Sequence, residues 1–506
     1  MKIVTLNPPY LKNYSRQSRS PCVAKSGTIY YAYYLAYAAA ALEKDGHNVL
    51  HLDGIIEDWD HDETVNAIKE FQPELVILDT STPSIINDVE VARKIKKSLP
   101  DAHLNLVGTF PTNMATETFE MASGCIDSVC HSEYEIILTD LARSIENDQD
   151  YSSVNGISYI NDNGENVKNM PGEKPDGEYL DNLPFVSDIY LRHLGEKGIK
   201  RHFYASITWP YIHILTSRGC PYSCSFCNIP SIASYRTRSV ESIVDEFKFI
   251  KKHLPFVNEI FFEDDTFPIN KKRTIELSNA IAEADTGLVW SCNARVNTDI
   301  EVMKAMKEAG CRLVCVGFES PTQDALEGVI KKTNRERQIE FMEDARNADL
   351  LVNGCFIMGL PNDTPETMQA TIDFSKELMP NTAQFYPHML YPGTGSFKWA
   401  DDNGYVKTKN WAEWLTPDGL HNTVLELPGL KRDDLLHWSN KGRLEFYLNP
   451  KYLFKMLVQA LKNPKEGIRM FISGKTFFIH LIKYILSTIG IGKKDDIQTA
   501  MPKVET

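Results

Sequence analysis

The 506-residue sequence predicts an α/β protein: a doubly wound parallel sheet, then a partial (β/α)6 TIM-type barrel, then a small carboxyl-terminal helical region. Three observations predict it. Short apolar runs alternate with helical patterns through residues 1–147, the rhythm of successive βα units. After a polar stretch at 148–203, rich in Gly, Asn and Pro, the same rhythm returns over 204–406. From 407 to 506 it gives way to tryptophans and long helical periodicity. A chain of this length accommodates about three domains.

In the first unit, strands are expected at 2–6, 48–52, 75–78, 103–107 and 128–130, with helices at 31–44, closed by Gly46, and at 89–99, before Pro100. Ligands of such sheets lie beyond the carboxyl ends of the strands. Here those ends are Asn7-Pro8-Pro9, Asp53-Gly54, 79–83, 108–111 and 131–135. No GxGxxG follows the first strand, so nucleotide binding has little support. The stretch 148–203 reads as a hairpin, with a strand near 156–160 and a turn at 161–164, followed by a connecting strap without catalytic residues. In the barrel unit, strands are expected at 212–216, 259–263, 288–292, 312–317, 352–358 and 382–386. Ile243, Val244, Phe247 and Ile250 share one helical face, and Thr298 with Glu301 has the spacing of a capping box before a helix stopped by Gly310. Six units leave a barrel incomplete. Reactive groups of barrels gather at the carboxyl ends of the strands.

Apolar content of 42% and charged content of 24% are those of a globular protein. The net charge of -14 leaves no basic excess to neutralise phosphates, which argues against broad nucleic-acid binding. Ten cysteines, three of them grouped in CPYSCSFC at 220–227, indicate a reducing compartment rather than a disulfide framework. The amino terminus carries no apolar run long enough for a signal peptide, so a cytoplasmic location is expected.

Cys220, Cys224 and Cys227 stand at CxxxCxxC spacing just beyond the first barrel strand. Four thiolates close a zinc or iron-sulfur site, so three without a neighbouring fourth suggest a cluster with one open iron. A zinc knuckle or a fully ligated electron-transfer cluster would need a fourth ligand, and Cys292, Cys311, Cys315 and Cys355 fall singly in apolar strands. Three unrelated buried cysteines are the remaining alternative. With the Gly-Cys-Pro opening and the aromatic Phe226 before the last cysteine, the segment resembles the radical S-adenosylmethionine superfamily. That resemblance implies a four-iron four-sulfur cluster on the three cysteines and S-adenosylmethionine on the fourth iron. One-electron reduction would then give a deoxyadenosyl radical, with a donor such as flavodoxin or ferredoxin.

Further segments extend the likeness. The run Glu263-Asp264-Asp265 could bind a divalent metal or form a solvated turn; the superfamily sets such an ending against the amino group of S-adenosylmethionine, which implicates Asp264 and Asp265. Arg295 could clamp a carboxylate or make a surface ion pair, and similar family positions lie near S-adenosylmethionine. Glu319 and Ser320 resemble the segment that reaches the ribose or methionine moiety, and Gly354 to Thr364 resembles the GxIxGxPxxT segment beside the adenine, with Gly354 and Gly359 as its glycines. Thr364 and Pro365 should start the next helix. Tyr386-Pro387-His388 and Tyr391 to Thr394 resemble segments that close the cavity floor, although single histidines and tyrosines are more often structural.

In the first unit, NPP, the alanine-rich helix, STP, Val107-Gly108 and HSEYE together resemble the cobalamin-binding, Rossmann-like domain that precedes some radical S-adenosylmethionine domains. The likeness implies a corrinoid over the sheet edge, contacted through Pro8, Ser81, Thr82, Gly108 and Glu133. The DxHxxG motif that supplies an axial histidine elsewhere is absent, and His103 reads as a strand residue. Taken together, the resemblance implies a cobalamin-dependent methyltransferase acting on an unactivated carbon of a small-molecule or lipid-like substrate. Cyclisation with the same cofactors, or binding without catalysis, are the alternatives. Beyond 407, Trp411, Trp414, Trp438 and a helical run at 435–461 suggest an accessory domain. The apolar segment 470–491, interrupted by Lys475, His480 and Lys483, suits a docked amphipathic helix or peripheral membrane contact better than a span, and 492–506 reads as a tail.

Overall fold

The computed structural model of the protein describes residues 1–228 and 234–475. Its first sheet has β1 (Lys2–Asn7), β2 (Asn48–Asp53), β3 (Leu75–Thr80), β4 (His103–Gly108), β5 (Ser128–Cys130), β6 (Ile157–Ile160) and β7 (Asn166–Lys168) in the order β2-β1-β3-β4-β5-β6-β7. The first five are parallel, and the strand order switches between β1 and β3. Every residue of β3 is buried, as in sheets covered by helices on both faces. The helix Tyr33–Lys44 lies against β1 and β2 of this sheet through Leu35 and its alanines, whose small side chains permit close helix-to-sheet approach.

The hairpin expected in the strap is present, but it belongs to this sheet. β6 pairs antiparallel with β5 and covers an edge whose backbone groups would otherwise lack partners. The rest of the strap is helical, at Gly177–Asp181, Val186–His193 and Gly195–Arg201. These helices are too short for sequence periodicity to reveal.

The second sheet holds β8 (Tyr211–Ile214), β11 (Glu259–Phe262), β12 (Val289–Ala294), β13 (Cys311–Glu319), β14 (Leu351–Met358) and β15 (Thr382–Pro387), all parallel and in chain order. It is an open, six-stranded partial barrel. Between β8 and β11, β9 (Ser217–Arg218) and β10 (Arg236–Thr237) form a short antiparallel ribbon. The connection from β1 to the helix Tyr33–Lys44 runs along the β8 edge: Tyr31 Oη donates to the Tyr211 carbonyl at 2.8 Å, and Ile29 bridges Phe203. The same connection reaches the carboxyl-terminal region, where Lys25 Nζ donates to Asn440 Oδ1 at 2.8 Å.

Local signals mostly hold. Thr364 caps the helix Pro365–Leu378 with Pro365 in its first turn. Thr298, however, does not cap the helix Ile300–Glu308. Its hydroxyl donates to the Arg295 carbonyl at 2.8 Å instead, and Asp299 occupies the cap position. The run expected at 435–461 is two helices, Arg432–Tyr447 and Pro450–Lys462, because Pro450 ends one helix and Asn449 caps the next. The first crosses β15, where a Cβ on Gly442 would lie 2.6 Å from the Phe385 ring. Trp414 donates to the Leu390 carbonyl and Trp411 meets Phe110 edge-on, so this region packs on both sheets' domains. Residues 464–475 are helical, whereas 476–491 and the tail lie outside the described residues. Among the described residues no helix is long and apolar enough to cross a membrane.

Candidate active site

The cysteine loop is anchored at the carboxyl end of β8 by a carboxylate from the end of β11. Asp264 accepts from the Thr216 backbone N–H at 2.7 Å, the Thr216 hydroxyl at 2.6 Å and the Ser217 hydroxyl at 2.5 Å. Asp265 accepts from the Gly219 N–H at 3.0 Å, one residue before Cys220. Within the loop, the Cys227 N–H donates to the Cys224 carbonyl at 3.1 Å. Ser225 is tied on both sides, its N–H to the Val329 carbonyl at 3.0 Å and its carbonyl to the Ser396 N–H at 2.8 Å. Cys220 and Cys224 are buried and Cys227 is half-buried. Arg295, at the end of β12, donates to Cys224 Sγ at 3.5 Å and lies 3.9 Å over the Tyr222 ring. Phe226 packs with Val329, Ile357 and Leu360.

Cys292, Cys311 and Cys315 are buried strand residues, and Cys315 accepts from Asn353 Nδ2 at 3.4 Å. Among the described residues no three His, Cys, Asp or Glu side chains converge on one metal-ion position. Thiolates that each take a different iron of one cluster require no such shared point.

The three carboxylates after β11 differ in their commitments. Both oxygens of Asp264 are occupied by the cysteine loop. Asp265 and Glu263 face Arg19, whose guanidinium comes from the first domain and stands 3.9 Å from each. Burial pushes both aspartates above the ordinary carboxylate range. Burial also pushes Glu263 up to about 8, with Asp265 and Asp264 adding to the shift and Arg19 opposing it. Glu263 Oε2 lies 3.9 Å from Nε2 of His213 on β8, and neither atom has a hydrogen-bond partner. Burial holds His213 neutral.

At the end of β13, pairing with β14 shifts between Gly317 and Glu319, and Glu319 adopts a left-handed φ of 64°. This turns its carboxylate onto Lys331 Nζ at 2.7 Å, with both side chains buried. Ser320 is buried, 3.2 Å from the Thr371 hydroxyl. A Cβ on Gly354 would sit 3.2 Å from the Phe318 ring. Gly359 has φ 88°, its N–H donates to Asp363 at 2.9 Å, and a Cβ there would press on Leu435 at 2.8 Å. The close approach that this glycine permits is therefore to the helix Arg432–Tyr447.

Across from this mouth lie the carboxyl ends of the first sheet. Arg16 stitches the β1 and β3 loops together, donating to the Pro8 carbonyl at 2.7 Å, Asn7 Oδ1 at 2.8 Å and Asp88 at 2.6 Å. Ser81 and Thr82 are buried, with the Ser81 hydroxyl 2.8 Å from Tyr14 Oη. Gly108 has φ 113°, and a Cβ there would lie 2.2 Å from the Thr80 carbonyl oxygen. Glu133 is engaged from the barrel side, by Arg218 at 3.0 Å and Arg236 at 2.5 Å. His103 sits at the amino end of β4, bonded to the Ser128 hydroxyl at 2.8 Å and at the far edge of the sheet from these loops. Asn228, next to Cys227, reaches the Thr109 hydroxyl at 3.5 Å. The two sets of carboxyl ends thus face each other.

Residues 19–142 match the B12 binding domain and 214–375 the radical SAM superfamily. An uncharacterized methyltransferase of Pyrococcus horikoshii is 32% identical over 425 residues, covering 83% of this chain and 88% of the relative. The chain belongs to the cobalamin-binding radical S-adenosylmethionine enzymes. The anaerobic magnesium-protoporphyrin IX monomethyl ester cyclase of Rubrivivax gelatinosus is 25% identical, over 83% of this chain and 74% of its own. Among solved structures, the radical S-adenosylmethionine methyltransferase TsrM of Kitasatospora setae, with cobalamin and a [4Fe-4S] cluster bound, shares the fold at a TM-score of 0.64 and 20% identity, covering 80% of this chain and 76% of that one.

The residues present fit the cofactors of this family. A radical S-adenosylmethionine enzyme needs three cluster thiolates and an open iron, and the loop supplies three cysteines with an Arg295 N–H on one sulfur. A cobalamin domain needs an uncluttered sheet edge, and Gly108 keeps the β4 end free of a side chain beside Thr80. Sequence reasoning singled out neither Arg19, Glu263 and His213 nor Lys331 as a group. Arg19 and Asp264 lie 245 positions apart, and Lys331 follows Glu319 by 12 positions with the helix Gln323–Gly328 between them, so neither pairing has a local sequence signature.

Proposed function

We propose that this cobalamin-dependent radical S-adenosylmethionine enzyme methylates an unactivated carbon of a small-molecule or lipid-like substrate, in the cytoplasm, with electrons from a flavodoxin or ferredoxin. The observation that carries the reading is the three-cysteine loop at a barrel mouth directly opposite the carboxyl edge of the B12-binding sheet. Bound there, the cluster and S-adenosylmethionine supply a hydrogen-abstracting radical and cobalamin supplies the methyl group.

The chain's own part is to hold and orient. Cys220, Cys224 and Cys227 would hold the cluster, and Arg295 would offer one N–H to sulfur and positive charge to a nearby carboxylate. Asp265, Glu319, Ser320 and Gly354 would border S-adenosylmethionine, while Asp264 and Gly359 would fix the backbone around it. Pro8, Ser81, Thr82 and Gly108 would form the floor under the corrinoid, and Glu133 would tie that floor to the barrel. Packing mouth to edge excludes water from the reacting centre. The Rubrivivax relative supports a second reading, cyclisation without methyl transfer.

The test uses anaerobically purified, reconstituted protein beside a Cys220→Ala, Cys224→Ala, Cys227→Ala variant. The expected outcome is loss of about four irons in the variant with stoichiometric cobalt retained. Deoxyadenosine without S-adenosylhomocysteine or methylated product, across a substrate panel that yields turnover, would favour cyclisation. Iron without cobalt after cobalamin is offered would overturn the corrinoid half of the reading.

A further inference from the structure

The helix Pro450–Lys462 and the helical residues 464–475 bury one face on the barrel and leave another bare. Inward, Tyr452 Oη donates to the Asn381 carbonyl at 2.9 Å and Lys455 Nζ to the Met379 carbonyl at 2.6 Å. Arg469 pairs with Glu466, and both are buried. Outward stand Leu453, Phe454, Leu457, Leu461, Phe471 and others, with Phe454 68%, Leu461 74% and Phe471 75% exposed. Of the twelve large apolar side chains exposed among the described residues, eight lie between 448 and 472. That concentration sets the face apart from the scattered apolar residues of an ordinary surface.

Charge singles out its partner. The chain as a whole carries -14, yet between 450 and 475 the exposed charged residues are Lys451, Lys462, Lys465 and Lys475, and the single carboxylate, Glu466, is buried. An apolar helical face whose own exposed charges are all lysines suits the boundary of an anionic bilayer, where apolar side chains enter the acyl region and lysines meet headgroup charge. We infer that this face docks the enzyme on an anionic lipid surface. Asn381 directly precedes β15 and Arg312, which meets Glu466 at 3.1 Å, lies near the start of β13. The face therefore lies at the amino ends of the barrel strands, opposite the cysteine loop, and docking leaves that loop clear of the bilayer. The inference does not depend on which carbon is methylated.

The experiment is co-sedimentation of the full holoenzyme with large unilamellar vesicles of phosphatidylcholine alone or mixed with phosphatidylglycerol. The variants are Phe454→Ser with Leu457→Ser and Phe471→Ser, and Lys451→Glu with Lys462→Glu and Lys465→Glu. All are exposed positions away from the active site, and cluster content with deoxyadenosine formation reports that each variant is folded. The expected result is several-fold stronger binding to the anionic vesicles, weakened by salt, lost in the lysine variant and reduced about tenfold in the apolar one. Absence of wild-type binding, or equal binding by folded variants, would overturn the inference. So would a wild-type dimer in sedimentation velocity that the apolar variant dissolves without any vesicle binding, since the face would then belong to a second copy of the chain.

Discussion

Glu263 keeps its proton at neutral pH because burial beside two other carboxylates disfavours a further negative charge. Its folded value, about 8, lies above the ordinary 4.5, so between those values the native protein holds a proton that the unfolded chain has released. The contribution of Glu263 to stability therefore falls as pH rises through this window, by at most about 1.4 kcal/mol per pH unit. Glu263→Gln, isosteric and uncharged, is expected to flatten that slope, read as the urea midpoint against pH. An unchanged slope would place the proton elsewhere. Gly108 is the second residue whose identity is forced. Its φ of 113° is a conformation open essentially to glycine, so Gly108→Ala should cost about 1–3 kcal/mol before the clash with Thr80 is counted, measured by denaturant unfolding. The glycine was legible in the sequence as the end of a strand, but its contact with Thr80 depends on β3 and β4 pairing.

At the scale of elements, the β9–β10 ribbon ties the root of the cysteine loop to the first domain. Arg218, two residues before Cys220, stands 3.0 Å from Glu133 and 2.6 Å from Glu135 with all three side chains buried, and its guanidinium lies over the Tyr34 and Tyr37 rings. Removing one member of such a set strands charge in a dry environment. Arg218→Met is therefore expected to destabilise the protein by about 3–5 kcal/mol, and pairing it with Glu135→Leu to recover much of the loss. Thermal unfolding of the two variants distinguishes this from a simple packing defect, which the second substitution would deepen. Strands were the most legible elements, because β-branched and aromatic runs bounded by Gly, Pro and Asn fix their place locally. Helix starts were less so: Thr364 and Thr298 offer the same side-chain chemistry, yet only Thr364 caps, because the Thr298 hydroxyl finds the Arg295 carbonyl first.

At the scale of the whole molecule, the site is an interface between two sheets that face each other with their carboxyl edges. Arg19 meets Asp264 across 245 positions and Asn228 meets Thr109 across 119, so the first domain contributes directly to the barrel mouth. The partial barrel leaves β8 without a neighbour on one side, and the connection that carries Ile29 and Tyr31 lies along that edge. A chain built this way is expected to unfold its two domains together: Arg218→Met should lower the midpoint of a probe in either domain, and separate transitions in the wild-type protein would contradict that coupling.

By itself the sequence determined the two α/β units, the order of their strands along the chain, the cysteine loop and the likeness to cobalamin-binding radical S-adenosylmethionine enzymes. Each of these rests on residues close in the chain, where hydrophobic period, turn chemistry and thiolate spacing act locally. Only the tertiary structure decided that Asp264 is an anchor for the loop while Asp265 and Glu263 face Arg19, that Glu133 turns to two arginines, and that the carboxyl-terminal helices expose an apolar face whose exposed charges are lysines. Those outcomes depend on which groups remain after long-range packing has claimed the others, and no spacing along the chain encodes that competition.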